Sequence, residues 1–482
     1  MRISEIFDLN AGQFELDFVN IDIEKDTPLF LDPHFLGVRS DQWSVAASRT
    51  LRSFFQKFID LVQAGNVDLA RSLFNHFHEP NETCLGVSSG RPNGRAIGEI
   101  DGQKLFDSII QSRAIRTGLV SDIEDFRIFV HGIGRDKVSD MTTNIIRKHL
   151  VDYTISQCRL WGIPLRANVP AGMYWDPVSR SWANQYSEML VIDGRRVLLT
   201  PKAVVSYSKV YSHEKYHNDF VLSYLQREHV RQGSIFVQFR KNGSPYVTKQ
   251  DLKDNVAPLN KDFLAQFTEN HGAVFSEFKD WVRITSASLT NEEIEEYYSD
   301  ISQSDIAAYL INRIQNTDSG SDHATDYHRL AVGVLEFLFY PKLCSPVVEQ
   351  EINQGRKRID IVFENAARSG ILNGLHAIHN IPCPYIFVEC KNYSKDVRNP
   401  ELDQLAGRFS VNTGKVGFLL CRNIDDFNLF CNRCRDSYEA GRGLILPIVD
   451  DDLIGLLRRI GQGLPNSVED FLSQRVRKIQ LG

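Results

Sequence analysis

An aspartate, a glutamate and a lysine in the last third of the chain have the types and the order that cleavage of a phosphodiester bond requires. Glu389 and Lys391 end an apolar stretch, and Asp360 stands upstream at the end of a run of charged residues. Carboxylate oxygens are good ligands for a hard divalent ion such as Mg²⁺. The bound ion polarises a phosphate and activates a water, while a lysine orients that water or stabilises the charge of the transition state. These residues therefore predict a metal-dependent hydrolase of phosphodiester bonds.

The residues around these three charged groups predict two strands. The segment 385–391 is apolar in its first half, which is typical of a buried strand. Alternate side chains of a strand share one face, so Glu389 and Lys391 are expected to point the same way. Asp360 leads into a second apolar segment, 361–363, after a glycine-led turn. Two neighbouring strands in one sheet would gather the three charged groups around one point.

A surface ion pair is the alternative explanation for Glu389 and Lys391. Such a pair contributes only about a few tenths of a kcal/mol to stability. The apolar run that precedes the two residues instead favours a central strand. In a central strand a charged pair is costly to bury unless it has a function or further polar partners.

The order Asp360 followed by Glu389-Cys390-Lys391 resembles the PD-(D/E)xK, or restriction-endonuclease-like, nuclease superfamily. The resemblance covers the C-terminal third of the chain. It implies an α/β domain in which helices flank a central mixed sheet. It also implies that the domain cleaves nucleic acid with the help of Mg²⁺.

Two predicted helices carry further residues that match this superfamily. In that family a helix before the catalytic strands often carries an acidic residue, and Glu336 lies in a predicted helix over 327–339. A helix after the ExK strand can carry a glutamine, and Gln404 matches it. Asn399 is the expected N-cap of this second helix and Pro400 its first residue. The resemblance implies that Gln404 and Glu336 support the substrate or a nearby water.

The resemblance assigns a role to each residue of the motif. Asp360 and Glu389 would ligate Mg²⁺, which Mn²⁺ can replace, and Lys391 would assist the attacking water. The sequence departs from the usual pattern at two positions. Ile359 stands where the family usually has a proline, and Arg408 stands where some branches have a tyrosine. These departures leave the branch of the superfamily open.

Length and composition are those of a soluble protein with several domains. A chain of 482 residues is too long for one ordinary core, so two or three domains are expected. No apolar stretch has the length of a membrane span, and Met1–Glu5 does not resemble the start of a signal peptide. The eight cysteines are scattered, which is typical of reduced thiols. We therefore expect a cytoplasmic protein that does not contact a membrane.

Local patterns divide the chain into three regions. Apolar residues recur at helical spacing over 46–64. Asp193-Gly194 between two apolar runs predicts a small β-hairpin with a type I′ turn. The small polar residues of 316–322 predict a linker. The predicted regions are a mainly helical N-terminal domain over 1–187, a hairpin plus helical middle region with the linker over 188–322, and the nuclease-like domain over 323–482.

Basic residues beside the predicted site are the candidates for binding nucleic acid. The net charge of −6 is no general sign of such binding, but a local basic stripe is sufficient for phosphate contacts. Arg356, Lys357 and Arg358 would contact the DNA backbone. A solvated turn is the alternative for the same three residues. The motif does not distinguish the sugar, so RNA stays a second candidate substrate.

At fold level the chain resembles bacterial restriction and anti-phage defence effectors, which is an analogy rather than a derivation. The N-terminal region would then recognise a DNA feature, a protein partner or a signal. Duplex cutting with one active site per chain favours a homodimer, and a regulatory partner is a further expectation. Two alternatives stay open. One is a nucleic-acid-binding or assembly module without catalysis, and the other is a repair or resolvase-type nuclease.

Overall fold

The structure is a computed structural model that describes residues 1–86, 99–207, 210–296, 302–348, 361–393 and 395–482. It is a mixed α/β protein, with a mainly helical N-terminal region and a five-stranded mixed sheet in the C-terminal region. The coarse architecture predicted from the sequence is therefore confirmed. Four predicted site residues lie outside the described residues, namely Arg356, Lys357, Arg358 and Asp360.

Helices dominate the N-terminal region. Its elements are α1 (Ile3–Ile6), β1 (Phe30–Leu31), α2 (Pro33–Val38), α3 (Gln42–Gln63), α4 (Val67–Ser72), α5 (Glu99–Gln111), α6 (Arg113–Arg116), α7 (Phe126–Phe129), α8 (Arg135–Ile145) and α9 (Arg147–Trp161). The longest is α3, which the periodicity predicts. Asp41 caps it by accepting a hydrogen bond from Ser44 N at 2.9 Å. Leu51, Phe54 and Phe58 lie on its buried face, so its amphipathic pattern fixes which side meets the core.

The middle region contains small sheets and then helices. Its elements are β2 (Arg166–Pro170), β3 (Tyr174–Asp176), β4 (Ser181–Ala183), β5 (Tyr186–Ile192), β6 (Arg195–Val197), β7 (Val205–Ser206), α10 (His213–Lys215), α11 (Leu222–Gln232), β8 (Gln238–Phe239), β9 (Pro245–Tyr246), α12 (Lys249–Asn255), α13 (Lys261–Asn270), α14 (Gly272–Thr285), α15 (Asn291–Glu295) and α16 (Gln303–Asn316). The predicted hairpin is confirmed as β5–β6. Asp193 and Gly194 both have positive φ, as a type I′ turn requires.

The C-terminal region is a sheet with helices on both faces. Its elements are α17 (Ala324–Phe339), β10 (Leu343–Val348), β11 (Ile361–Asn365), α18 (Gly370–Ala377), β12 (Tyr385–Lys391), α19 (Asn399–Ala406), β13 (Val416–Cys421), α20 (Phe427–Glu439), β14 (Leu444–Val449), α21 (Asp450–Gly461) and α22 (Ser467–Leu481). The strand order is β10-β11-β12-β13-β14. The pairs β10–β11 and β11–β12 are antiparallel, whereas β12–β13 and β13–β14 are parallel. The middle strand, β12, is therefore flanked on both sides.

Ring contacts identify the two faces of this sheet. Phe339 of α17 lies 5.5 Å from Phe418 of β13, measured between ring centroids. Phe387 of β12 lies 5.9 Å from Phe409, just beyond the end of α19. Phe387 pairs with Gly417, the residue before Phe418, so Phe387 and Phe418 point to opposite faces of the sheet. Phe387 and every second residue after it in β12 therefore face α19, and the other residues of β12 face α17.

Two large apolar cores stabilise the chain. One is helical and includes α3, α8, α13 and α14. The other surrounds the five-stranded sheet, and residues near the N-terminus belong to it. Phe14, Leu16 and Phe18 are buried in this second core, and Phe14 lies 6.1 Å from Phe337 of α17 between ring centroids. The start of the chain thus contributes directly to the packing of the C-terminal sheet.

Two further findings concern the cysteine thiols and the apolar character of the helices. All eight cysteines are buried as free thiols. Across the described ranges, no helix combines the length and the apolar character that crossing a bilayer requires.

Candidate active site

Glu389 and Lys391 lie at the end of β12 and are completely enclosed by protein. The side chain of Glu389 is 0% exposed and that of Lys391 is 2% exposed. The apolar residues before them form the central strand because neighbouring strands pair with both of its edges. A surface ion pair therefore does not describe these residues. They form a buried charged pair in the middle of a sheet.

The two side chains share one face of β12, as their spacing predicts. Lys391 Nζ contacts Glu389 Oε1 directly in an ion pair. Lys391 Nζ also donates a hydrogen bond to Gln404 Oε1 at 3.2 Å. The structure thus brings together three of the predicted site residues. The neutral amide oxygen of Gln404 holds the ammonium group without neutralising it.

Gln404 reaches the pair because α19 crosses this face of the sheet. The helix begins one residue earlier than predicted, with Arg398 rather than Asn399 at the N-cap position. The reason is a hydrogen bond from the backbone to a side chain, in which Arg398 N donates to Glu401 Oε2 at 2.9 Å. Leu402 and Leu405 are buried, so the apolar face of α19 fixes the helix while Gln404 contacts Lys391.

Arg408 is a second cation at this site. Its Nη2 atom lies 4.0 Å from Glu389 Oε2, and its side chain is largely buried. At this distance the guanidinium attracts the negative charge of the carboxylate. In the sequence, Arg408 is recognisable only as a departure from the family pattern. Arg408 follows Gln404 by four residues, and residues at this spacing lie on the same side of a helix. This spacing is the signal in the sequence that places Arg408 beside Gln404 at the end of the helix.

The expected second carboxylate, Asp360, lies outside the described residues. The residue after it in the sequence, Ile361, pairs with Val388 in the antiparallel β11–β12 ladder. Among the described residues, no group of three or more His, Cys, Asp or Glu side chains is placed to hold a metal ion. Glu389 offers the oxygen ligand that Mg²⁺ prefers, but the complete metal site predicted from the sequence stays a prediction. The same holds for Arg356, Lys357 and Arg358.

Glu336 is not brought to the Glu389–Lys391 pair. It lies on α17, and its Oε2 atom is 3.3 Å from Nζ of Lys202, with both side chains 0% exposed. Burial raises the pKa of Glu336 to about 8, although Lys202 lowers it. Lys202 Nζ also lies 4.1 Å from the centroid of the Tyr340 ring. Glu336 thus joins α17 to the middle region.

A buried aspartate near the N-terminus extends this second polar cluster. Asp17 Oδ2 accepts a hydrogen bond from Tyr153 OH at 2.5 Å. Its Oδ1 atom accepts one from Ser345 N at 2.9 Å, at the irregularity of β10. Ser345 has a φ of 50°, a left-handed conformation in which its N–H points away from the regular ladder. Asp17 therefore satisfies a backbone group of the C-terminal sheet. The sequence gives no local signal of this contact.

The predicted linker holds the end of the strand that carries the candidate site. Asn392 Nδ2 donates to the carbonyl oxygens of Asp318 and Gly320, each at 3.0 Å. Gly320 N donates to Asn392 O at 2.9 Å. Three hydrogen bonds therefore connect the segment after α16 to the residue that follows Lys391.

The comparisons with known proteins find one family model that matches part of the chain and carries no activity. A family described as "Domain of unknown function (DUF8370)" matches residues 8–212. The matched segment includes Asp17 and Lys202 and does not include Glu389 or Lys391. No curated protein and no solved structure matches the chain.

Proposed function

We propose that the C-terminal region is a Mg²⁺-dependent endonuclease of restriction-endonuclease-like fold that hydrolyses phosphodiester bonds of DNA. The observation that carries the proposal is the buried Glu389–Lys391 pair, held by Gln404, at the end of the central strand. A buried ion pair contributes little or no net stability compared with apolar residues of the same size. A catalytic role explains why these groups occupy the middle of the sheet.

In the proposed reaction a water oxygen forms a bond to phosphorus, and the bond from phosphorus to the leaving sugar oxygen breaks. The attacking water loses a proton, and the leaving oxygen takes up a proton. Lys391 holds the water by its ammonium group and stabilises negative charge on the phosphate oxygens. Gln404 keeps that ammonium group in place, and Arg408 attracts the carboxylate of Glu389. A Mg²⁺ ion held by Asp360 and Glu389 would neutralise charge on the phosphate and activate the water.

Other parts of the chain would bind the substrate and control its cleavage. Arg356, Lys357 and Arg358 would contact the phosphate backbone. The N-terminal region would recognise a DNA feature, a partner or a signal that permits cleavage. By analogy of fold, this arrangement suits a bacterial restriction or anti-phage defence effector acting in the cytoplasm. Cutting of both strands would require a homodimer or two successive reactions.

The test is a cleavage assay with the purified full-length chain. Supercoiled plasmid, linear DNA and RNA are each incubated with Mg²⁺, Mn²⁺ or EDTA. We expect DNA cleavage with either metal and none with EDTA. Lys391→Ala and Asp360→Ala should lower the rate by about 10²–10³-fold, the usual effect of losing one transition-state contact. Lys415→Ala is the matched control, because it removes a lysine of the same region whose Nζ atom donates to Gly441 O at 3.3 Å.

Folding is checked separately, because Lys391→Ala leaves the carboxylate of Glu389 buried without its lysine. This change can destabilise the chain by about 3–5 kcal/mol. Thermal unfolding of each variant, together with Lys391→Met, separates loss of catalysis from loss of structure. Cleavage that persists in folded Lys391 variants contradicts the proposal. DNA binding without cleavage under any metal condition, repeated with candidate partners present, favours a binding module without catalysis.

A further inference from the structure

A cavity of about 320 Å³ lies in the helical part of the chain, away from the Glu389–Lys391 pair. Residues of α2, α3 and α14 line it, together with the short turn over 122–124. Its apolar walls include Val38, Leu51 and Phe55. This volume is at the lower end of the range of small-molecule sites in proteins.

Two buried polar atoms in the lining have no hydrogen-bond partner among the described residues. They are Nε2 of His34 and Oε2 of Glu124. The His34 side chain is 7% exposed, and its Nδ1 atom lies 3.6 Å from Glu124 Oε2. Buried polar atoms nearly always have partners. Both side chains therefore line the cavity with hydrogen-bonding capacity that the described protein groups do not use.

The surroundings of both groups favour their neutral forms. Burial raises the pKa of Glu124 well above its ordinary value, and the neighbouring Asp125 and Asp122 raise it further. Burial lowers the pKa of His34, although Asp32 opposes this shift. A neutral carboxyl and a neutral imidazole can each donate one hydrogen bond and accept another. Glu124 and His34 thus offer donors and acceptors to a ligand without requiring a charge on either group.

The other polar groups nearby already have partners. Asp125 Oδ1 accepts a hydrogen bond from Tyr211 OH at 2.5 Å. Lys279 Nζ donates to Asp125 Oδ2 at 2.9 Å and lies 3.5 Å from Asp122. These contacts fix the 3₁₀ turn that carries Glu124. They leave Glu124 and His34 as the groups available for recognition.

The rim of the cavity carries an available positive charge. Arg283 is paired with Asp280 at 2.9 Å. Arg52 is exposed on α3, lines the cavity, and has no hydrogen-bond or ion-pair partner within the described ranges. An exposed guanidinium beside a pocket is suited to a phosphate group.

We propose that this cavity binds a nucleoside monophosphate or a ligand of the same chemistry. Glu124 and His34 would bind the donor and acceptor edge of the base. Leu51 and Phe55 would pack against its apolar surface, and Arg52 would bind the phosphate. The proposal concerns binding alone and does not depend on the cleavage reaction.

The test measures binding of defined probes to the full-length chain by calorimetry. The probes are AMP, GMP, CMP and UMP, the four corresponding nucleosides, and inorganic phosphate. We expect at least one monophosphate to bind more tightly than its nucleoside and than phosphate. Arg52→Ala and Glu124→Met should each raise its Kd tenfold or more. Arg49→Ala on the same helix and Glu277→Met on α14 change exposed residues outside the cavity and should leave Kd unchanged.

Each other outcome overturns the proposal. No heat of binding with any monophosphate at millimolar concentration contradicts a nucleotide site. Equal binding of inorganic phosphate contradicts recognition of the base, and equal binding of the nucleoside contradicts the role of Arg52. Binding that survives in Arg52→Ala and Glu124→Met places the ligand elsewhere. Thermal unfolding shows that each variant is folded, and a folded Arg52→Ala alone is sufficient for a decision.

Discussion

Two buried pairs of a glutamate and a lysine involve the C-terminal region, and their neighbours differ. Glu389–Lys391 has Gln404 and Arg408 as additional polar neighbours, both supplied by one chain segment. Glu336–Lys202 is enclosed by residues from distant parts of the chain, with the Tyr340 ring against the ammonium group. In the proposed reaction, the first arrangement would exchange partners with the substrate. The second joins regions, so we expect substitutions of Glu336 to act mainly on stability.

Gln404→Ala tests the first arrangement with little risk to the fold. It removes the acceptor of the Lys391 hydrogen bond without leaving a buried charge unpaired. Groups that orient a catalytic residue typically contribute about 10–100-fold to activity, so we expect the cleavage rate to fall by that factor with a small change in Tm. Asp403→Ala is the control, because Asp403 is exposed and pairs with Arg442. Equal rates for wild type and Gln404→Ala would refute an orienting role.

Asp140 on α8 predicts how stability depends on pH. Burial, together with the neighbouring carboxylates of Glu79, Asp136 and Asp26, raises the pKa of Asp140 to about 7. The folded state therefore binds more protons than the unfolded state between about pH 4 and 7, and stability falls as the pH rises through this window.

Asp140→Asn removes this penalty. The gain in the free energy of unfolding should be near zero at pH 3.5, grow up to pH 7 and stay constant above it, reaching about 2–4 kcal/mol from the size of the shift. Urea unfolding of wild type and variant across this pH range measures it. A gain that does not change with pH would show that Asp140 titrates normally in the folded chain.

At the scale of elements, a local sequence pattern is sufficient to predict a helix, strand or turn whose structure depends on its own residues. The apolar run before Glu389 predicts β12, and Asp193-Gly194 predicts the hairpin, because both depend on neighbouring residues. The start of α19 is wrong by one residue, since Glu401 closes the helix onto Arg398 rather than Asn399. A side chain that competes for a backbone N–H decides such boundaries. The spacing of residues in the sequence does not reveal which side chain wins this competition.

The end of β12 and the segment before α17 are joined by hydrogen bonds into one structural unit. Asn392 makes two hydrogen bonds to backbone carbonyls at 318 and 320 and is 4% exposed. Asn392→Ala should destabilise the chain by about 1–3 kcal/mol, because it leaves those carbonyls without a buried donor. It should also increase proteolytic cleavage over 317–323, as mass spectrometry of limited digests would show.

The control for this change is Asn255→Ala, which removes an exposed amide bonded to the carbonyl of Asp251. It should leave the cleavage pattern of wild type unchanged. If both variants are digested alike, the hydrogen bonds of Asn392 do not hold the segment.

At the scale of the whole molecule, the decisive contacts join residues far apart in sequence. Asp17 and Ser345 are separated by 328 positions and share a hydrogen bond. Trp43 N donates to Glu364 Oε2 of β11 at 2.9 Å. Periodicity and motif spacing describe neighbours and do not encode such pairs. The boundaries of the predicted regions, 1–187, 188–322 and 323–482, stay a prediction, as do the nuclease activity and its Mg²⁺.

The shared core predicts that a fragment of residues 323–482 is not stable alone. Phe14, Leu16 and Phe18 are buried in the core that surrounds the sheet. Each such side chain contributes about 1.5–3 kcal/mol, so their combined loss approaches the total stability of about 5–15 kcal/mol of an ordinary domain. We expect the fragment to aggregate or to bind a hydrophobic dye, and co-expression with residues 1–322 to restore a soluble complex. A fragment that unfolds cooperatively at the Tm of the full chain would mean that the N-terminal segment only covers a core that is already complete.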